Sequence, residues 1–253
     1  DPTTFANALT NALTTIVART GSASAVAANS NSLITNGRIY QAKFNSGDWT
    51  GQLLSIPINA AGTLGAIEWN AGAVSLASDT IVPAARIIIT RGSSDGEPFE
   101  YANFTTAQKV LLDKDVAGTV DNCGLERVAY LRGVAVNEGS GTFSCASANV
   151  INKFRSRPAS KLGDIVNSGP FYVGRPNAGH SDVDYAGYAA FRTSYKNRKP
   201  VVYVGANDGM LHGFNACDIP VYDAEDASLL LSGQPGCTAA LQGSEVLAYV
   251  PTS

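Results

Sequence analysis

Three stretches of this chain repeat one plan, and that plan constrains the fold more than any other feature. They cover residues 38–59, 86–104 and 201–216. Each has an apolar strand-like run, a tight turn with an acidic residue and glycine, and a second strand-like run. Short runs of this kind separated by such turns are typical of β-hairpins. A hairpin cannot bury its own apolar face and must pack on a neighbour. The sequence therefore predicts an all-β protein built from several hairpins.

The spacing of the hairpins is that of a β-propeller. The first two begin at residues 38 and 86, which is close to the ~40–50 residues of one four-stranded blade. The third begins at residue 201, so a further blade or a large insertion lies between. We expect a partial propeller of several blades.

Helical patterns flank and interrupt the strands. Residues 3–19 place apolar side chains at helical spacing, so residues 1–30 are assigned to an N-terminal helix and linker. Residues 31–253 are assigned to the propeller. Between about 105 and 160, two shorter helical patterns end at Gly118 and Gly133. This region is predicted to be an insertion with two short helices and a disulfide.

The four cysteines fall into two local pairs, Cys123 with Cys145 and Cys217 with Cys237. Four cysteines permit three disulfide connectivities, and the sequence alone does not choose among them. Local pairing would close two loops of about twenty residues, each stabilising the fold by roughly 3 kcal/mol. The absence of Cys-x-x-Cys spacing disfavours zinc knuckles and redox motifs. The even count fits an oxidising compartment, so we expect an exported protein.

Charge and hydropathy exclude two classes of partner. The net charge is −3, and the one basic run, residues 153–161, has no interleaved aromatic platform beyond Phe154. Nucleic-acid binding is therefore not expected. No apolar run reaches the length of a membrane span. The chain opens on Asp1-Pro2 and stops on residues 251–253, directly after a strand-like run, and both ends look like cuts through a longer protein.

No motif for catalysis, cofactor binding or metal binding is present. The sequence lacks G-x-S-x-G, HExxH, a P-loop and a G-x-G-x-x-G after a strand. Of the two histidines, His212 alternates on a predicted strand and is expected to be a sheet-face residue with a hydrogen-bonded ring. The acidic stretch 182–187 is nearest a calcium loop, but half of the ligands are missing, which favours a solvated turn. We predict no catalytic, cofactor-binding or metal-binding residue and no enzymatic activity.

Asn207, Asp208 and Gly209 are predicted to form a structural turn in the third hairpin. A short hairpin loop needs a positive φ, which glycine, asparagine and aspartate tolerate best. Metal binding at this turn would need further acids close by in the chain, and the flanking residues are Ala206 and Met210.

This hairpin resembles a blade of a quinoprotein-like propeller. In such blades the second strand often ends on an Asp/Asn-Ala-x-Thr-Gly turn, whereas here Cys217 begins a longer excursion. The departure puts a bound quinone in doubt. A quinoprotein-type dehydrogenase and an extracellular glycan-binding propeller remain open alternatives.

Several longer motifs, in order along nearly the whole chain, resemble the PilY/PilC family of type IV pilus biogenesis factors and tip adhesins. They are GRIYQAKFNSGDWTGQLLSIPIN, LRG, FRSRPASKLGDIVNSGPFYVG, KPVVYVGANDGMLHGFNA and EVLAYVPTS. The resemblance implies the first part of the family's C-terminal, quinoprotein-like β-propeller domain. It also implies a non-enzymatic module that supports pilus assembly or extension and adhesion to host cells or abiotic surfaces.

The resemblance further implies partners, a location and a cofactor. The partners are minor pilins and other pilus-tip proteins, and the location is the pilus tip, cell surface, periplasm or outer membrane of a Gram-negative bacterium. Calcium is possible in the intact family domain, but the family's acidic calcium loop has no match here, so no calcium ligand is carried over. The expected working surfaces are the loops 105–160 and 217–237, because function on a rigid β scaffold is concentrated in loops.

Overall fold

The computed structural model describes residues 23–28, 37–59, 61–93, 95–174, 176, 178–196, 198–216, 221–222, 230–231 and 238–251. The predicted helix over 3–19 and the pair Cys217 and Cys237 lie outside these residues. Among the described residues, no helix has both the length and the apolar character needed to cross a bilayer.

The described elements are mostly strands, in line with the all-β prediction. The strands are β1 (Ala23–Ala28), β2 (Arg38–Asn45), β3 (Thr50–Pro57), β4 (Trp69–Asn70), β5 (Ile88–Arg91), β6 (Gly96–Pro98), β7 (Thr142–Ser144), β8 (Val150–Asn152), β9 (Phe171–Val173), β10 (Val201–Ala206), β11 (Met210–Asn215), β12 (Val221–Tyr222), β13 (Leu230–Leu231) and β14 (Glu245–Val250). The α-helices are α1 (Ala71–Val74), α2 (Thr106–Leu112), α3 (Gly124–Arg132) and α4 (Tyr188–Ser194), and 3-10 turns cover Pro83–Ala85, Tyr101–Asn103 and Ala239–Leu241.

Two sheets dominate the fold. The first has the order β1-β2-β3-β4 and is antiparallel throughout. Its hairpin β2–β3 is the first predicted one, and the alternating burial along β2 places every second side chain in the core. Strand β1 lies within residues 1–30, so the first sheet begins inside the segment assigned to a helix and linker.

The second sheet has the order β6-β5-β14-β11-β10-β9. It contains both the second hairpin, β5–β6, and the third, β10–β11. Strand β14 lies between them, antiparallel to β11 and parallel to β5. The blade or insertion expected between these hairpins therefore does not separate them in space, because a strand from the end of the chain joins them edge to edge.

Two predicted elements end earlier than the sequence indicated. The second strand of the hairpin over 86–104 ends at Pro98, where the chain turns through a 3-10 turn and buries Phe99 and Phe104 in the core. The first insertion helix, α2, begins with a capping box at Thr105 and ends at Leu112 rather than at Gly118. The second, α3, ends at Gly133, which has φ 111° as a left-handed C-cap requires.

The main core lies between the two sheets. Its buried side chains come from β2 and β3 on one side and from β10 and β11 on the other, and include Tyr40, Leu53, Val202 and Phe214. A second cluster packs Val128 of α3 against Ile88, Met210 and Ala248 of the second sheet. The insertion is therefore attached to the sheet through its own apolar contacts.

A bridging segment, residues 160–165, runs between the sheets and bonds to both. The amide of Gly51 donates to the carbonyl of Leu162 at 3.0 Å, and the amide of Asn207 donates to that of Asp164 at 2.9 Å. The backbones are so close that a β-carbon on Gly163 would lie 2.5 Å from the amide nitrogen of Asp208. A β-carbon on Gly51 would overlap the carbonyl oxygen of Gly163. Only glycine fits at these two positions.

We expect Gly163→Ala to lower the free energy of unfolding by about 1–3 kcal/mol or more, because its methyl group meets backbone rather than a movable side chain. Gly96→Ala is the matched control, since a β-carbon there comes no closer than 3.8 Å to any atom beyond the two neighbouring residues. Urea denaturation of the two variants provides the measurement. Equal urea midpoints for the two variants would show that the backbones can move apart at Gly163 without loss of stability.

Candidate functional site

His212, on β11, is completely buried between two carboxylates. Its Nδ1 lies 2.8 Å from Oε1 of Glu245, on β14, and its Nε2 lies 3.0 Å from Oδ2 of Asp208, in the β10–β11 turn. The ring stacks on Phe214, two residues along the same strand face, with ring centroids 5.6 Å apart. The side chain therefore joins the turn to the neighbouring strand inside the protein.

The network continues through Arg86 to the helical insertion. Its guanidinium contacts both carboxylate oxygens of Glu245, at 2.6 and 2.9 Å. It also donates to the carbonyls of Arg132 at 2.9 Å and Leu131 at 3.3 Å, at the end of α3. A cation is well placed there because helix C-termini carry partial negative charge. One buried network thus connects β11, β14, the approach to β5 and the insertion.

The turn at residues 207–209 binds the bridging segment through its side chains. Asp208 accepts hydrogen bonds from the amides of Gly163, at 2.9 Å, and Met210, at 3.1 Å. Asn207 donates from Nδ2 to the carboxylate of Asp164 at 2.7 Å. Gly209 has φ 86°, the conformation for which glycine is suited. These three residues were predicted from the sequence to form a turn. Their contacts with residues 163 and 164 were not predicted, because those residues are more than forty positions away in the chain.

The charges of this network shift each other's pKa values. Burial by itself lowers the pKa of His212, but the negative charge of Asp208 and the hydrogen bonds to Asp208 and Glu245 outweigh it and raise the pKa to about 9. Burial raises the pKa of Glu245, yet hydrogen bonds from His212 and Arg86 lower it to about 2. The pKa of Asp208 is lowered as well, because the charge of His212 outweighs burial. At neutral pH the network holds two positive and two negative charges.

These contacts exclude His212 as a general base. A base must be able to accept a proton from a substrate, and it must lie within reach of that substrate. With its pKa raised to about 9, the ring carries a proton on each nitrogen at neutral pH, both nitrogens face carboxylates, and no part of the ring is exposed. The network joins the β10–β11 turn to β14 and to the insertion.

A second buried charge cluster uses the basic run at 153–161. The carboxylate of Glu138 accepts from the guanidinium of Arg157 at 2.7 Å and from Nζ of Lys161 at 2.9 Å. Arg157 also lies over the ring of Tyr130, 3.7 Å from its centroid. Burial raises the pKa of Glu138, but the bonds from Lys161 and Arg157 hold it below its usual range. Two charges of this run are therefore internal and do not form a basic surface.

The predicted disulfide between Cys123 and Cys145 is present and joins the start of α3 to the end of β7. Glu126 lies close to both sulfurs, and a metal could in principle be held by such a trio. Because the sulfurs are bonded to each other, neither is a thiolate ligand.

The insertion encloses a cleft with a volume of about 860 Å³, which we call the insertion cleft. Its walls are α3, the loop 113–121 and the β7–β8 hairpin. The volume lies within the ~300–1,000 Å³ of typical ligand sites.

The acidic stretch 182–187 is an exposed turn before α4. Asp182 accepts from the amide of Ala189 at 2.7 Å, and Asp184 accepts from the hydroxyl of Ser181 at 2.7 Å. Both carboxylates thus organise the local chain. Five aromatic rings contact one another along this exposed segment, with centroids 4.3–6.1 Å apart. His180 contacts Tyr185 and Tyr188, Tyr188 contacts Phe191, and Phe191 contacts Tyr195.

Comparison with known proteins assigns the family. Residues 162–236 match the family model described as the PilY1 β-propeller domain. This match begins at the bridging segment and includes the turn that it binds. Two proteins named PilY1 or PilY1 homolog are 34–36% identical over 70–82% of this chain. This chain belongs to the PilY1 family. Its strand-rich architecture is accordingly that of a partial β-propeller with a helical, disulfide-linked insertion.

Three relatives extend the similarity over most of the chain. A type IV pilus biogenesis factor PilY1 homolog of Xylella fastidiosa is 36% identical over 217 residues, which are 82% of this chain and 15% of that protein. The type IV pilus biogenesis factor PilY1 of Pseudomonas aeruginosa is 34% identical over 191 residues, 70% of this chain and 15% of that protein. A second Xylella fastidiosa homolog is 30% identical over 209 residues, which are 70% of this chain and 14% of that protein. The chain spans about 15% of the length of the first relatives. No solved structure matches it.

Stability should depend on pH through the buried network. The raised pKa of His212 means that its contribution is fully present below pH 6.5 and is lost as the pH rises through about 9. The lowered pKa of Glu245 means that its contribution is present above pH 4.5 and is lost as the pH falls toward about 2. The alkaline loss should amount to about 3 kcal/mol, measured by urea denaturation between pH 6 and pH 10.

The chain offers a matched control for this prediction, because it has only two histidines. His212→Gln should remove the alkaline loss, whereas His180→Gln, at an exposed position, should retain it. If His212→Gln lost as much stability as the original chain between pH 6 and pH 10, another group would be responsible for the loss.

Replacing both Cys123 and Cys145 by serine should lower the free energy of unfolding by roughly 3 kcal/mol, because the unfolded chain gains loop entropy. Non-reducing urea denaturation gives the measurement, with Ser147→Ala as a control in the same loop. A double variant with the midpoint of the original chain would contradict a stabilising role for the bond.

Proposed function

We propose that this segment is a non-enzymatic module of a type IV pilus biogenesis factor, which supports pilus assembly or extension and surface adhesion. The observation that carries the proposal is the similarity, over 70–82% of this chain, to proteins named as type IV pilus biogenesis factors. The enclosure of His212 supports a structural rather than catalytic use of the buried polar residues.

The proposed location is outside the cytoplasm, at the pilus tip or outer cell surface of a Gram-negative bacterium. The Cys123–Cys145 disulfide supports this location, since such bonds persist in oxidising compartments. The proposed partners are minor pilins and other pilus-tip proteins, and the proposed adhesion targets are host cells or abiotic surfaces.

A chimera tests the proposal. The matched segment of Pseudomonas aeruginosa PilY1 is exchanged for this chain in the full-length protein, and the chimera is expressed in a strain that lacks PilY1. We expect surface pili and twitching motility to be restored above the level given by a protein with the segment deleted. Gly163→Ala within the chimera is the control for folding of the segment.

A chimera that is stable and exported, yet supports no more piliation than the deletion, would overturn the proposal. Immunoblotting of surface and whole-cell fractions distinguishes this result from poor expression.

A second candidate function, glycan binding, is favoured by the exposed aromatic row from His180 to Tyr195. Aromatic rings bind apolar surfaces through their faces, while polar groups such as the tyrosine hydroxyl stay hydrogen-bonded to water. Phe191 and Tyr195 are 42% and 49% exposed, and Tyr185 is 57% exposed. We expect glycan-array binding by the full chain to be lost in a Tyr185→Ala/Phe191→Ala variant and retained in Val183→Ala, which alters an exposed aliphatic residue of the same segment. Identical array profiles for the original chain and the double variant would exclude this row as a sugar site.

A further inference from the structure

The insertion cleft has a strand edge as one of its walls. Strands β7 and β8 form a two-stranded sheet with Phe143 opposite Ile151 and Ser144 opposite Val150. Val150, Ile151 and Asn152 of β8 all line the cleft. No third named strand pairs with the hairpin among the described residues, but residues 137–139 bond to the backbone of Phe154 just beyond β8, so the edge is free only along β8 itself.

The ladder of this hairpin leaves the edge of β8 unpaired. The amide of Lys153 bonds to the carbonyl of Gly141, and the amide of Cys145 bonds to that of Asn149. In an antiparallel ladder, hydrogen-bonded residue pairs alternate with non-bonded pairs. The pair Phe143–Ile151 lies midway between these two bonded pairs, so it is bonded as well. The backbone amides and carbonyls of Val150 and Asn152 therefore point away from β7. Such a row of free groups is a template for another strand.

The cleft also has one cation that is free to bind an acid. Arg127 is bonded to the carboxylate of Asp121, at 2.7 Å for the Nη1–Oδ1 contact, and to the carbonyl of Leu112 at 2.9 Å. The carboxylate of Asp115 accepts from the amides of its own turn. Among the described residues, Lys114 alone of the charged groups lining the cleft makes no ion pair and no side-chain hydrogen bond.

Most of the remaining surface of the cleft is apolar. Tyr130 and Phe154 contact each other with ring centroids 4.7 Å apart and line the cleft together with Leu131. At its rim, Val116 is fully exposed and Val150 is 62% exposed. These two side chains give a partner apolar surface to bury on both sides of the cleft.

The walls of the cleft are fixed before any partner arrives. The disulfide from Cys123 to Cys145 ties α3 to the hairpin. Asn149, in the hairpin turn, donates from Nδ2 to the carbonyl of Asp121 at 2.8 Å, and the amide of Ala146 donates to Glu126 at 2.8 Å. A preformed site loses little conformational entropy on binding.

We propose that the insertion cleft binds an extended segment of a partner protein, which adds to the free edge of β8 as a third strand. Main-chain hydrogen bonds to Val150 and Asn152 supply the register. An apolar side chain of the segment packs between Val116 and Val150, and an acidic side chain pairs with Lys114. This inference stands on the geometry of the insertion and is independent of the proposed pilus function.

Three synthetic peptides test the proposal against the full chain. The first alternates valine with glutamate and threonine, the second has lysine in place of glutamate, and the third is the first peptide with alternate backbone amides methylated. Binding is followed by the NMR shifts of the Val150 and Asn152 amides. We expect the first peptide to bind at least tenfold more tightly than the other two. Methylation removes the main-chain donors that strand addition needs and leaves the side chains in place.

Two protein variants separate the edge from the charge. Val150→Pro removes an outward amide that the hairpin does not use and should weaken binding at least tenfold, whereas Ser144→Pro, the same change at the paired position on the opposite edge, should leave it within twofold. Lys114→Glu should reverse the preference to the lysine peptide.

Equal binding of the methylated and unmethylated peptides would overturn strand addition, and this result does not depend on any variant folding. The absence of shifts at Val150 and Asn152 with millimolar peptide would also overturn it. A Lys114→Glu variant that keeps its preference for the glutamate peptide would overturn the pairing with Lys114.

Discussion

The arrangement of this domain depends on how closely three backbones approach at one point between its sheets. Gly51 of β3, Gly163 of the bridging segment and Asp208 of the β10–β11 turn leave no room for a β-carbon at either glycine. With the backbone of the turn held there, the Asp208 carboxylate reaches both the Gly163 amide and the ring of His212. The rest of the buried network extends outward from this contact, through Glu245 to the end of α3.

Two of the internal ion clusters lie where chain segments distant in sequence meet. The cluster around His212 joins the turn to β14 and the insertion, and that around Glu138 joins the basic run to the loop after α3. Buried ion pairs are weak evidence for stability, but a wrong pairing would leave an uncompensated charge in the interior. We interpret both as devices that fix which segments meet. The two surfaces that we propose for recognition are the insertion and the aromatic row.

Local patterns in the sequence were enough to predict the hairpins and the insertion helices, because each depends on residues close together in the chain. The Cys123–Cys145 pairing was expected as the local one of three possible connectivities, and the structure chooses it. The two partners of His212 differ in the same respect, their distance from it along the chain. Asp208 is four residues away around a tight turn and was within reach of sequence reasoning, whereas Glu245 is 33 residues away and its strand could not be placed without the fold. The burial of Arg157 and Lys161 likewise depends on Glu138 arriving from another loop.

The parallel pairing of β5 with β14 has a consequence for how the domain is made. Residues 88–90 pair with residues 248–250, so the second sheet combines strands from widely separated parts of the chain. Contacts of such long sequence separation form slowly, because a large loop must close first. A chain synthesised from its N-terminus completes β5 long before β14 exists, and during that interval the inner edge of β5 is open to any other strand. Productive folding therefore requires that this edge be kept from other chains until β14 arrives.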